Sequence, residues 1–409
     1  MNNKIKTAVA GALLASASVS NAGITWDAGE WTVDMSGNVS AFAIFSDEKD
    51  TTGPKGGLAA TQRSIDADSE SVSISTGVLP DWLGFTATTR QNDIDTSVTI
   101  SFQPDAGGNA ALQGGGTSQN WQAFLTFGDK SWGSVKVGKD MGIFASTAGM
   151  NDMTLLGVGA TGGTVGNAVN FSSSGSDTTM GGAGTGYIYA DWIGQIAYTT
   201  PNMNGFLATV GITQPWNAQG DGVTSAASSG TSDNFGYEGQ ASYSWTGDFA
   251  GKAWVGAFYQ DVTGLTATNL DEDAQAFEAG IATTVMNIGL TAYAYSGEGV
   301  GTTGMLTRGF DVTGSARDSN GGYLQATYTT PMYTKLGVAY GVSKLNDNTA
   351  DAGRNLVKEN NRITVGAYQP LSKHLMLVAE FSHVESESHL STQSDSEQDI
   401  MSVGGILFF

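Results

Sequence analysis

No apolar run in this chain reaches the ~20 residues that a membrane-spanning helix needs. Segment after segment instead alternates polar and apolar side chains at a period of two, the pattern of a β-strand with two unlike faces. Trp31 to Phe45 is the clearest case. Trp31, Val33, Met35, Val39 and Ala41 share one face, and Thr32, Asp34, Ser36, Asn38 and Ser40 share the other. Thr96 to Gln103 repeats it, with Val98, Ile100 and Phe102 set against Ser97, Thr99 and Ser101. Clusters of Gly, Asn, Asp and Ser cut these runs into lengths. Length alone would suggest two or three globular domains, but the alternation continues throughout, and no repeat of about 20–50 residues interrupts it. One β domain is therefore expected over residues 23–409. The chain contains no cysteine, which excludes a disulfide framework and a thiolate metal site.

The connections fall into two kinds. Seven short ones lie near Asn92-Asp93, Gly128-Asp129-Lys130, Pro201 to Asn204, Thr246-Gly247-Asp248, Val285-Met286-Asn287, Pro331-Met332 and Pro370-Leu371-Ser372. Longer polar stretches alternate with them, near 46–70, 104–119, 139–184, 215–234, 261–274, 297–320, 345–360 and 385–397. Strands of about 9–11 residues joined alternately by short turns and long loops describe a transmembrane antiparallel β-barrel. Fifteen connections imply sixteen strands. Ser71 to Val78 also alternates, and Leu79-Pro80-Asp81-Trp82 breaks its register before Gly84 to Arg90. That region is read as an ordered part of the first loop, or as an extra strand pair making eighteen; sixteen is the expectation.

Both ends carry signals. Lys4 and Lys6 precede a short apolar core, Ala8 to Val19, and Ser20-Asn21-Ala22 offers small residues at a cleavage site. Residues 1–22 therefore read as an exported chain's signal peptide. The chain has 18 basic and 39 acidic residues. Removing Lys4 and Lys6 leaves 16 basic residues and a net charge of −23, which excludes nucleic acid as a partner. At the other end, Met401, Val403, Gly405, Leu407 and Phe409 share a largely apolar face. An apolar strand edge left open is an aggregation hazard in a soluble protein; closing the last strand onto the first removes it.

Signal peptide, opening strand, terminal Phe409 and loop rhythm together resemble the general diffusion porins of Gram-negative bacteria. The most specific local match is Val135-Lys136-Val137-Gly138-Lys139-Asp140-Met141-Gly142-Ile143-Phe144, which is similar to the porin segment where the fifth strand feeds a long third loop. The Pro-Glu-Phe-Gly-Gly-Asp type motif of enterobacterial porins is absent; the loop reads Asn151 to Gly159 instead. The resemblance implies a third loop folded into the lumen, a homotrimer, outer-membrane lipid and lipopolysaccharide as surroundings, and delivery to the barrel-assembly machinery through Phe409. It also implies passive diffusion of ions and small hydrophilic solutes.

Candidate pore residues follow from the polar faces. Asp140 and Asp152 lie in the presumed inward loop, with Lys136, Lys139 and Arg90 as opposing cations and Asp34 and Asn38 on the wall of the first strand. Carboxylates in a narrow pore favour cations, so mild cation preference is expected. A substrate-selective channel for sugars or organic solutes, or a non-conducting adhesin-like β-protein, are the alternatives. No enzymatic constellation is visible: of His374, His383 and His389, only His383 has a nearby acid, Glu385, and one neighbour does not make a catalytic site. No cofactor or metal site is expected; Asp271-Glu272-Asp273 lacks the spacing of a calcium loop. N-terminal sequencing of the protein taken from membranes should return Gly23 as the first residue; retention of Met1 to Ala22 would rule out the export reading.

Overall fold

A computed structural model describes residues 23–49, 53–59, 69–104, 119–162, 178–218, 232–265, 271–393 and 395–409. The presumed leader lies outside the described residues. The elements are β1 (Ile24–Ala28), β2 (Trp31–Glu48), β3 (Ser69–Ser75), β4 (Trp82–Gln91), β5 (Ile94–Gln103), β6 (Gln119–Asp129), β7 (Gly133–Met141), α1 (Ser146–Asn151), β8 (Trp192–Thr199), β9 (Phe206–Thr213), β10 (Gly236–Trp245), β11 (Phe249–Val262), β12 (Glu272–Val285), β13 (Ile288–Glu298), β14 (Asp318–Thr329), β15 (Lys335–Leu345), β16 (Val357–Pro370), β17 (Leu375–Ser388) and β18 (Ser396–Phe408).

Each strand from β4 onward pairs antiparallel with the next, and β18 returns to β2, so the sheet closes on itself. The ring holds sixteen strands, with two extra pieces that settle the question left by Ser71 to Val78. On one edge of β2, β4 pairs with Thr32 to Asn38 and β3 pairs with Phe42 to Glu48. β3 and β4 are thus two halves of a single second strand, interrupted at 76–81, rather than an added pair or a loop. On the other edge, β18 pairs with Asn38 to Glu48, and β1 takes over from Trp31 to Met35.

The seven expected short turns all connect neighbouring strands at one end of the barrel, and the strand ends joined by the eight long stretches lie at the other. Asn92 (φ 50°) and Asp93 (φ 63°) both adopt positive φ between β4 and β5, the backbone that a two-residue hairpin needs to match strand twist. Side-chain alternation then gives each strand an outer and an inner face. In β2, Val39 and Phe45 are exposed while Ser40, Phe42, Ile44 and Ser46 are buried; in β18, Met401, Val403 and Leu407 are exposed while Ser402, Ile406 and Phe408 are buried. The exposed face is apolar around the ring. Trp31, Trp132, Tyr198 and Tyr243 are exposed near the short-turn end, and the Tyr243 ring stacks on that of Trp245, as a band of interfacial aromatics does.

Closure rests on the β2–β18 seam. Beyond the last ladder pair, Gly37 and Phe409 exchange two backbone hydrogen bonds of 2.9 Å each. A Cβ at Gly37 would collide with the carbonyl of Trp82 and the ring of Phe409, so only glycine lets β2, the start of β4 and the end of β18 meet there. Removing Phe409 forfeits both bonds and the ring contact, at roughly 0.5–1.5 kcal/mol per hydrogen bond. Refolded protein lacking Phe409 should show a smaller heat-modifiable fraction on a gel than the full chain; an undiminished fraction would mean that the seam does not need it.

Candidate functional site on the inner wall

The long segment between β7 and β8, described over residues 142–162 and 178–191, meets inner-face side chains of the ring. It leaves β7 where Glu238 of β10 accepts the backbone N–H groups of Ile143 (2.6 Å) and Phe144 (2.9 Å). α1 follows, held by Thr147 donating to Gln240 (2.7 Å) and by the Tyr323 hydroxyl donating to the carbonyl of Ala148 (2.8 Å). Gln325 of β14 then clasps the chain from both sides, accepting from Met153 N–H (2.6 Å) and donating to the Asn151 carbonyl (3.1 Å). Glu380 of β17 accepts the N–H groups of Val158 (2.7 Å) and Gly159 (2.9 Å), and the Tyr368 hydroxyl at 2.5 Å. The returning part donates from Gly186 N–H to Ser343 of β15 (2.9 Å). On the other side, Val78 N–H, in the interruption between β3 and β4, donates to the carbonyl of Gly157 (2.9 Å).

Inner-wall aromatics form the bed for this segment. Trp254, Tyr293 and Tyr323 run across β11, β13 and β14 with ring centroids 6.3 and 5.7 Å apart. Tyr187 meets Tyr323 edge-on, and Phe144 meets Phe258. All are buried, so they pack the segment rather than present open rings to a solute.

Two further stretches turn inward. Residues 299–317, between β13 and β14, are secured by Arg317, which is fully buried and clamps Asp351 at 2.6 and 2.8 Å while donating to the carbonyls of Arg308 and Phe310. Burial alone would raise the Asp351 carboxyl; the hydrogen bonds from Arg317 and from Asn348 N–H hold it below its ordinary value. Tyr189 N–H donates to the carbonyl of Thr303 (2.7 Å), joining this stretch to the β7–β8 segment. Residues 53–59 bind Asn360 and Ser386 through Leu58 N–H at 3.1 and 2.9 Å.

The expected site residues separate into five places. Asp140 is buried, accepts from Gln122 (3.0 Å) and is paired with Lys136, whose ammonium also lies 5.1 Å from the centre of the Phe124 ring. Asp152 caps the 3-10 turn Met153–Leu156, accepts from Thr154 and Tyr187, and lies 3.6 Å from buried Arg362 of β16. Asp34 stands on the inner face of β2, and Asn38 on the same face donates to the carbonyl of Pro80 (2.8 Å). Arg90 sits at the short-turn rim, paired with Asp95 (2.7 Å) and Asp129 (3.0 Å). Lys139 departs from the group. It alternates with Lys136 to the outer face of β7 and donates to the carbonyl of Asn120 (3.1 Å) beside the Trp121–Trp192 pair. Near the strand end its stem can lie along apolar surface while its charge reaches water. His383 pairs with Asp399 (2.7 Å) rather than with Glu385, which accepts from Asn361.

Glu238, Gln325, Arg362 and Glu380 escaped the sequence reading. Period-two alternation marks them as inner-face polar residues, but nothing in it says that they face a loop from elsewhere in the chain.

Residues 7–389 match the family model of the Gram-negative porins. The chain belongs to that family. A porin of this kind is an integral protein of the outer membrane, and the closed sixteen-strand ring agrees with it. Similar folds are seen in the outer membrane channel DcaP of Acinetobacter baumannii (TM-score 0.69, 14% identity, 95% of this chain and 100% of that one). An anion-selective porin from Comamonas acidovorans gives 0.63 and 15% over 93% and 100%, and the Salmonella typhi OmpF complex with daunomycin 0.58 and 14% over 94% and 100%. At such identities the likeness is one of fold. No curated protein matches the chain.

Within this porin, Gly157 lets the Glu380 carboxylate approach: a Cβ there would overlap it. Glu380→Ala should orphan two buried N–H groups, costing about 1–3 kcal/mol each, and loosen the segment. Single-channel traces of the variant should show higher and noisier conductance; traces identical to wild type would mean that other contacts suffice to hold it.

Proposed function

We propose that the protein is a water-filled diffusion channel for small polar solutes, and that the β7–β8 segment is its constriction. The observation that carries this reading is the set of partners above. A segment rooted on the fifth and sixth strands of the ring bonds inner-face side chains of the eighth, twelfth, thirteenth and fifteenth and the backbone of the interrupted second. A chain with those partners lies across the pore. A ring of sixteen strands is wide enough for an aqueous channel, and a segment held across it narrows the passage while leaving the wall intact. The segments 53–59 and 299–317 narrow it further, which favours small solutes over large ones.

The expected cation preference rested on the net charge of −23 as well as on Asp140 and Asp152. Lys136 pairs with the first and Arg362 stands beside the second, so the net charge is what supports that expectation. His383 and Asp399, the histidine–carboxylate pair, stand on the outer face, away from the inner wall. We further propose that residues 1–22 are a removed leader, that the protein is a homotrimer, and that lipopolysaccharide and the assembly machinery are its partners in the envelope.

Planar-bilayer recording of the purified full chain tests the channel. Stepwise insertions with ohmic conductance are expected. A correctly folded, heat-modifiable barrel that passes no current would reject the channel and leave the non-conducting surface protein in its place.

A further inference from the structure

The short-turn rim of the ring is not uniform. From β1 to β7 its turns and strand ends carry Asp27, Glu30, Asp93, Asp95 and Asp129, with Arg90 and Lys130 as the rim cations. The aromatic tip in this sector, Trp132, has its ring beside that of Phe127. From β8 to β17 the turn tips instead carry Met203, Met286, Met332, Tyr333 and Leu371. Each is at least half exposed, Met286 at 91% and Met332 and Tyr333 at 75%. Asp248 and Lys373 are the charged tips of this arc and offset one another. Lys252 and Lys335, early in β11 and β15, alternate to the inner face.

The backbone sharpens the contrast. Met286 (φ 54°) and Tyr333 (φ 65°) hold the left-handed conformation, which Gly, Asn and Asp adopt readily and bulky side chains do not. In the other sector Asn92 and Asp93 fill such positions. Two large apolar side chains thus stand where turn chemistry disfavours them and where no packing inside the barrel holds them. The arc also continues the apolar outer face. Next to the tips, exposed residues pair directly across the ladder: Phe206 with Tyr243, Ile288 with Tyr328, and Tyr328 with Leu336. A contiguous run of exposed apolar groups marks a surface that is covered in use. Continuity with the lipid-facing wall selects lipid as the cover. Charge agrees, because anionic headgroups repel the acids of the β1–β7 rim and are indifferent to an arc whose tips carry no net charge.

We propose that this arc, from Met203 to Leu371, inserts into the headgroup layer of the phospholipid leaflet at the short-turn end, while the β1–β7 rim stands in water. The barrel is then anchored unevenly, one side of its rim deeper than the other. Interfacial apolar groups sit about 5–10 Å into the headgroup–acyl boundary, a depth that takes in a turn tip. The proposal needs a barrel in a membrane but not a conducting one.

The chain has no cysteine, so one introduced thiol gives one labelled position. Met286→Cys, Met332→Cys and Leu371→Cys on the arc, and Asn92→Cys and Lys130→Cys on the other rim, are labelled with bimane in the full-length barrel. Each is placed in nanodiscs of phosphatidylethanolamine and phosphatidylglycerol. Lipid brominated near the headgroup end of its acyl chains reads lipid contact, and iodide reads water. The arc labels should be quenched about threefold more by brominated lipid, and about threefold less by iodide, than the Asn92 and Lys130 labels. Met286→Asp/Met332→Asp should raise iodide quenching of the Leu371→Cys label, because a charge resists that depth. The heat-modifiable band confirms that each variant is folded. Equal iodide access at all the labelled positions would overturn the proposal, as would brominated-lipid quenching as strong at Asn92 as at Met286. Arc labels shielded from both quenchers would give the surface to a protein, a second copy included, and overturn the lipid assignment.

Discussion

In an apolar surround, each unpaired backbone N–H or C=O costs several kcal/mol, so a strand there must be paired along both edges. β2, eighteen residues long, shows how this porin meets that demand. One edge is covered by β18 and then β1, the other by β4 and then β3. Neither neighbour is continuous, yet little of the β2 edge is left open. The break between β3 and β4 is itself used: its backbone turns inward and receives the β7–β8 segment at Gly157. A lapse in sheet pairing thus becomes a docking point for the β7–β8 segment.

The same accounting governs the interior. A long irregular segment brings many peptide groups with no ladder to join, and buried peptide groups must find partners. The inner wall supplies them through side chains: the carboxylates of Glu238 and Glu380 each accept two N–H groups, and Gln325 serves a donor and an acceptor together. Charge-assisted bonds of this kind are stronger than neutral ones. Their cost is that acids spent on anchoring no longer set the potential of the pore. Composition alone therefore does not tell how the wall's acids are used: in this acidic chain Glu238 and Glu380 are spent on backbone groups.

Ion pairs at the rims carry less. Arg90 with Asp95, Lys49 with Glu397 and Lys358 with Glu387 are all largely exposed, and such pairs contribute little to stability. Arg317 with Asp351 is fully enclosed; breaking it would strand a buried charge, which makes it the firmer attachment of the 299–317 stretch.

Period-two alternation, short-turn chemistry and the spacing of long loops are local properties, and they alone determined the barrel, its sixteen strands, the outer apolar face and the turn positions from Asn92-Asp93 to Pro370-Leu371-Ser372. Alternation also assigned Asp34, Asn38 and Lys136 to the inner face, and carried three residues further along β7 it sets Lys139 on the outer face, which the reading of Lys139 as a pore cation overlooked. Two matters were decided by tertiary structure. Ser71 to Ser75 joined the second strand because β2 had an edge to fill, which no property of those five residues reveals. Which charges stay free depends on what crosses the barrel. Asp152 looked like a pore acid until Arg362, 210 residues away in the chain, came to stand beside it. Face is set by the geometry of one strand, whereas partnership is set by closure of the whole ring, which brings distant residues together.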